Sequence, residues 1–136
     1  MSTTLRADIS KSNKYWISKH RYYELKHFCL QYKEFKSLYV DTLELDSHGM
    51  LIVNNPEWSD KTADISARRE FWKSKLDSIE NSAKCTDDIL AKWILVGVTE
   101  GKSYTYLRTM LDIPCGKGRY YNLRRKFFWI LDKVRK

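Results

Sequence analysis

From Ser18 to Tyr39 apolar side chains return every three or four positions. Tyr22, Leu25, Phe28, Cys29, Tyr32, Phe35 and Tyr39 take one side, and Lys19, Arg21, Glu24, Lys26, Lys33, Glu34 and Lys36 take the other. That spacing predicts one amphipathic helix over 18–39 with Ser18 as its N-cap. Its aromatic stripe reads as helix-packing core rather than as a base-stacking platform. Residues 1–14 are polar with mixed charge, and 1–17 read as a flexible tail. Residues 40–59 break the pattern with Asp41, Asp46, Ser47, Gly49, Asn54, Asn55 and Pro56. Turn formers at this density predict a linker or a small hairpin, the latter because Leu43 and Leu45 flank Glu44 in period-two alternation.

A second helix starts near Ser59 or Asp60 and carries Ile65, Arg69, Trp72, Leu76, Ile79 and Ala83 on one side. Thr86 then reads as a new N-cap, with Asp87 and Asp88 in the first turn, where carboxylates complement the helix dipole. The helix it opens carries Ile89, Leu90, Trp93, Ile94 and Val98 and ends at Gly101, a natural C-cap. Ser103 caps a short helix, Tyr104 to Leu111. A turn of Asp112, Ile113, Pro114, Cys115 and Gly116 follows, and a long helix runs from Lys117 to Val134. Its predicted buried stripe is Tyr120, Leu123, Phe127, Ile130, Leu131 and Val134. The expected fold is therefore all-α: a helical domain over 60–136 with a C-terminal helix-turn-helix at 103–135, and a separate N-terminal helix joined by the linker.

Composition supports this picture. Hydrophobic residues make up 43% of the 136, enough for a core and too many for wholesale disorder. Five Gly and two Pro are too few for a sandwich or barrel with many tight turns. The charge distribution adds something new. Residues 101–136 hold ten Lys/Arg against Asp112 and Asp132, so the whole formal excess of +8 falls in the last quarter of the chain. One-sign clustering of this kind is the electrostatic footprint of a nucleic-acid binder. Cys29, Cys85 and Cys115 are odd in number and widely spaced, which fits reduced thiols in a cytoplasmic protein. Met1 to Asn13 has no apolar signal core, and the longest apolar run, Trp93 to Val96, is far too short to span a bilayer; no membrane association is expected.

The candidate chemistry lies in the last 36 residues. A helix, a proline-marked turn and a second helix follow the helix-turn-helix plan. Leu107, Leu111, Ile113, Tyr120 and Leu123 are placed to form the small core that fixes the crossing. Lys117, Arg119, Tyr121 and Asn122 stand near the start of the second helix, followed by Arg124, Arg125 and Lys126. A recognition helix needs this set, with N-terminal side chains for base edges and nearby cations for phosphates. By residue type Arg119 suits guanine and Asn122 suits adenine. Ser103 and Arg108 on the first helix are the further candidate DNA contacts. No metal site is expected of His20, His27 and His48, which lack a completed ligand set. Gly116-Lys117-Gly118 lacks the spacing of a phosphate-binding loop. No catalytic residue and no cofactor is expected, and the chain reads as a non-enzyme.

The stretch Ser103-Tyr-Thr-Tyr-Leu-Arg-Thr-Met-Leu-Asp-Ile-Pro resembles the opening of the promoter-reading helix-turn-helix of sigma factors. There a similar Ser-Tyr start and Leu and Ile frame lead into the recognition helix. Two longer stretches, Ile17 to Tyr32 and Val98 to Arg108 continuing through Asp112–Cys115 and Arg124–Lys133, resemble small phage and prophage proteins of low-GC Gram-positive bacteria. In size and plan such proteins are similar to late-transcription regulators of the ArpU and RinA type. The resemblance covers about half of the chain, at both ends, and implies a phage-type DNA-binding protein in the cytoplasm of a bacterial host cell. The chain reads as a transcription regulator with duplex DNA as partner, expected to be a homodimer because such readers commonly bind two half-sites. Two alternatives stay open at this point. One is a phage-encoded protein-binding module that occupies the nucleic-acid groove of a host RNA polymerase, a defence nuclease or another host protein. The other is a DNA-recognition subunit of a packaging complex.

Overall fold

The structure is a computed structural model and describes residues 12–49 and 56–135. Among these residues the chain forms six helices and no strand: α1 (Lys19–Leu30), α2 (Tyr32–Gly49), α3 (Pro56–Thr86), α4 (Ala91–Glu100), α5 (Tyr104–Leu111) and α6 (Lys117–Val134). The fold is all-α, as expected, and no described helix is long and apolar enough to cross a membrane. The chain divides into two compact units, Met1–Gln31 with Ser78–Lys136, and Tyr32–Asp77.

The first unit is built around α6. Tyr120, Phe127 and Leu131 are fully buried on it, and Leu123 and Phe128 lie with them. They pack against Tyr22, Leu25, Phe28 and Cys29 of α1 and against Ile94 and Val98 of α4. The rings of Tyr22 and Phe128 meet edge to face with centroids 5.2 Å apart, the geometry that aromatic quadrupoles favour. Ile79 and Ala83 of α3 and Leu107 of α5 complete the buried set. Polar contacts fix the ends. Ser18 caps α1 by accepting from the Arg21 N–H. The Arg21 guanidinium meets Asp132 at 2.6 Å and donates to the Arg135 carbonyl, tying the start of α1 to the end of α6. The Arg135 guanidinium in turn covers the Phe28 ring, 3.6 Å from its centroid.

The second unit is the pair α2 and the N-terminal part of α3. Phe35 and Trp72 stack with centroids 5.9 Å apart, and the Lys75 ammonium sits over both the Phe35 and the Phe71 rings. The aromatic stripe of the N-terminal helices is thus packing core.

Four boundaries differ from the sequence expectation. The predicted helix 18–39 is two helices, because α1 ends at Leu30. At Gln31 the backbone N–H turns back to Phe28, and the side-chain amide donates to the freed His27 carbonyl. Residues 40–49, expected in a linker or hairpin, continue α2, and 56–59 open α3; the expectation for 50–55 lies outside the described residues. Helical spacing persists there through Tyr39, Thr42 and Leu43, and the short Leu43–Leu45 alternation fits either period. The expected tail is ordered from residue 12: Tyr15 and Trp16 are held by the Asn13 side chain and carbonyl, and the Tyr15 ring meets Trp129 edge-on at 5.5 Å. Thr86 does not cap α4, since it is the last residue of α3 and its hydroxyl donates to the Ser82 carbonyl. Asp87 instead accepts from the Ile89 and Leu90 N–H groups in the turn before α4, α4 begins at Ala91 after Leu90 with no side-chain cap, and Ile89 is left 78% exposed rather than in the core.

At Gly97 the backbone of α4 lies close against α6. A Cβ there would lie 2.1 Å from the Tyr120 hydroxyl oxygen and 3.3 Å from the ring carbon that bears it. The collision is mostly with that one oxygen, so the two positions must be strongly coupled. Gly97→Ala is expected to destabilise the fold by about 2–3 kcal/mol, the range of overpacked cores. Tyr120→Phe, which removes a buried hydroxyl that makes no hydrogen bond of good geometry, is expected to be near neutral. In a double-mutant cycle read by urea denaturation, Tyr120→Phe should recover at least half of the Gly97→Ala loss. Additive losses would show that the α4–α6 contact is looser than described.

Candidate nucleic-acid interface

The connection between α5 and α6 is fixed by backbone and side-chain bonds. Ser103 caps α5 by accepting from the Tyr106 N–H at 3.2 Å. At its other end Asp112 adopts the left-handed conformation (φ 55°, ψ 45°), one that Asp tolerates better than most residues. The Ile113 N–H then reaches back to the Leu107 carbonyl at 3.1 Å and the Ile113 side chain is fully buried. Two side chains of α5 hold the rest. Tyr104 Oη donates to the Cys115 carbonyl at 2.6 Å, and Arg108 Nη1 donates to the Ile113 carbonyl at 2.9 Å. Trp93 of α4 donates to the Leu111 carbonyl at 2.9 Å. The expected small core holds through Leu107, Ile113, Tyr120 and Leu123, whereas Leu111 is 40% exposed.

α6 starts at Lys117 after Gly116, with no side-chain cap and no acidic residue in its first turn. Its first N–H groups therefore keep their partial positive charge unopposed by a carboxylate of the helix's own first turn. Tyr120, Leu123, Arg124, Phe127, Phe128 and Leu131 define the buried side. The buried stripe is rotated from the expected one: Phe128 and Arg124 join it, Ile130 is half-buried and Val134 is 56% exposed. Opposite, at spacings of three and four, run Arg119, Asn122, Lys126, Trp129 and Lys133, a single outward stripe. The Lys133 ammonium lies over the Trp129 ring, 4.2 Å from its centroid.

The residues expected to touch DNA separate into groups. Lys117, Arg119 and Asn122 are exposed, and Arg125 and Lys126 flank them half-buried. Tyr121 is half-buried, and its hydroxyl accepts from the Tyr104 N–H at 3.5 Å, so it braces α6 against α5. Ser103 and Arg108 are occupied by the cap and the turn, although Arg108 remains largely exposed. Arg124 is displaced altogether. It is 3% exposed, and its guanidinium lies near the Cys29 thiol and the Tyr120 hydroxyl. Neither Arg124 Nε nor the Tyr120 hydroxyl makes a hydrogen bond of good geometry. One residue along a helix is a rotation of about 100°, which carries Arg124 to the core and leaves its neighbour Arg125 at the edge. Burial pushes the Cys29 thiol far above its ordinary range, against the opposing pull of Arg124 and Arg135. Burial likewise raises the Tyr120 phenol, with Arg124 again opposing.

Sequence reasoning did not single out three residues of this surface. Trp129 and Lys133 were legible as the continuation of the three-four stripe from Arg119. Asp87 was not. It lies 3.3 Å from Arg119 across 32 residues of sequence, a contact that only the packing of the α3–α4 connection beside α6 produces.

No protein-family model, curated protein or solved structure matches this chain.

Arg124 is a buried cation with no ion-pair partner among the described residues, and burying a charge without a counter-charge is costly. Arg124→Met keeps the aliphatic stem and removes the charge. It is expected to hold or raise stability, by up to about 2 kcal/mol. Chemical denaturation measures this directly, and a loss of more than about 1 kcal/mol would mean that the guanidinium anchors the core.

Proposed function

We propose that this chain is a sequence-preferring duplex-DNA-binding protein that docks the N-terminal half of α6 in the major groove. α5, the 112–116 turn and α6 act together as a helix-turn-helix. The role the reading assigns is that of a transcription regulator, in line with the resemblance to phage regulators, with binding rather than catalysis as the activity. The observation that carries this reading is the outward stripe of α6. Arg119 and Asn122 are exposed and Lys126 is half-buried on the side away from the core, on a helix whose other side is packed from Tyr120 to Leu131. A helix of 18 residues is about 27 Å long, so the stripe presents cations and one amide along a rigid rod of the width a major groove admits. The concentration of the whole formal excess of +8 in residues 101–136 supplies the phosphate attraction.

The charges have distinct roles in this reading. Lys117, Arg125 and Lys126 meet phosphates, Lys133 reaches the backbone beyond the groove, and Arg119 and Asn122 face base edges. Arg124 has no part in it, because its charge is buried.

Fluorescence anisotropy with a duplex of about 20 base pairs tests the proposal. With roughly four or five phosphate contacts, log affinity should fall with log salt at a slope of about −4, since each contact contributes about 0.9. Lys126→Ala and Arg125→Ala should each flatten the slope by about one and weaken binding to all sequences alike. Arg124→Met should leave the slope unchanged. The reading fails if no duplex binds at micromolar protein in ~50 mM salt, where even nonspecific DNA binders associate.

A further inference from the structure

Asp87 closes the connection between α3 and α4. Its Oδ1 accepts from the backbone N–H groups of Ile89 at 2.9 Å and Leu90 at 3.0 Å, so the carboxylate is pinned at one oxygen. Its other oxygen, Oδ2, faces α6 and lies 3.3 Å from Arg119 Nη2. The Asp87 side chain is 19% exposed, whereas that of Arg119 is 63% exposed. Only one corner of the guanidinium is held, and the remaining donors of Arg119 make no hydrogen bond among the described residues. Two glycines lie just before it: a Cβ at Gly116 or Gly118 would meet nothing within 4 Å, so the backbone leading into Arg119 is open to close approach.

As a stability device this pair would be weak, because ion pairs with an exposed partner contribute little. As an orienting device it is effective. A free Arg side chain samples many rotamers, and fixing them costs binding free energy. A carboxylate locked to the backbone removes part of that cost in advance. It holds one edge of the planar fork and leaves another edge directed outward, and that edge matches two parallel acceptors. Guanine presents such a pair in the major groove, O6 and N7, whereas adenine presents N7 beside an amino donor.

We propose that Asp87 is a positioning residue for Arg119, and that the pair reads one guanine in the major groove and so sets base preference at that base pair. The proposal rests on the duplex-DNA reading above and deepens it. Asp87 touches no DNA. Its negative charge weakly opposes binding to every duplex while improving discrimination at one position, and this opposition of effects distinguishes it from a residue that only caps a turn.

The experiment starts with enrichment of random duplexes on wild-type protein and on Arg119→Ala, which identifies the base pair whose preference disappears. Affinities are then measured for the selected duplex, for its G·C→A·T change at that pair, for a 7-deazaguanine substitution there and for an unrelated duplex. Wild-type protein should favour guanine roughly 5- to 150-fold, the discrimination of a good bidentate contact, and Arg119→Ala should favour it hardly at all. 7-Deazaguanine should weaken wild-type binding and leave Arg119→Ala unaffected. Asp87→Asn keeps a capping oxygen, since Asn caps as well as Asp. It should lose at least about threefold of the discrimination while binding the unrelated duplex as well as wild type or better, because a negative charge has gone. Unchanged discrimination in Asp87→Asn overturns the positioning role. So does an equal loss of affinity for all duplexes together with a lower melting temperature, which would mark Asp87 as a cap alone. Wild-type binding whose base preference is unmoved in Arg119→Ala overturns the guanine assignment and leaves the duplex-DNA reading standing. A wild-type protein that binds no duplex overturns both.

Discussion

Tyr120 is fully buried, and its hydroxyl occupies the space a side chain on Gly97 would fill. Because α4 carries no Cβ at that point, α6 approaches it closely enough to set its own rotation. That rotation decides everything further along the helix. With Tyr120 inward, Leu123, Phe127, Phe128 and Leu131 follow into the core, and Arg119, Asn122, Lys126, Trp129 and Lys133 are turned to the outside. The end of α6 is then held by Arg21 through Asp132 and the Arg135 carbonyl, so the phase is fixed at both termini.

The arginines of the first unit show how the same side chain is assigned different work by its place in the packing. Arg108 braces a turn, Arg21 ties two helix ends together, Arg135 covers an aromatic ring and Arg124 is buried beside a thiol and a phenol. Arg119 is largely exposed and yet held to a fixed carboxylate. A positively charged segment is therefore not one uniform surface. Of the ten cations in residues 101–136 some stabilise the fold, and others, among them Lys117 and Arg119, stay exposed.

Helix positions were legible wherever the signals were local. Ser103, Asp112 and Gly116 bracket α5 and open α6 at the residues the sequence suggested, because caps and left-handed turns depend on a few neighbouring groups. The end of α1 before Gln31 was not legible, since Cys29 and Tyr32 continue the apolar stripe and the break contains neither Gly nor Pro. Thr86 misled for a related reason. A threonine before two aspartates has the composition of an N-cap, but its hydroxyl was already engaged by the helix behind it. The candidate site was legible as a segment and not as a surface. Lys117, Arg119 and Asn122 stand where expected, Arg124 does not, and Asp87 enters from a connection the sequence assigned to another helix.

By itself the sequence determined that the chain is helical, where its last helices begin and end, and that the excess positive charge lies along them. Each of these follows from spacing, capping and residue counts within a few turns of chain. Only the tertiary structure decided which side of α6 meets the core. A shift of one residue rotates a side chain by about 100°, and the stripe of Tyr120, Leu123 and Phe127 is compatible with more than one rotation until Gly97 and the α1 aromatics supply the surface it must fit. The same packing brings Asp87 to Arg119, and a contact across 32 residues leaves no mark in local pattern. The position of the charge is therefore a property of the sequence, and the direction in which it faces is a property of the fold.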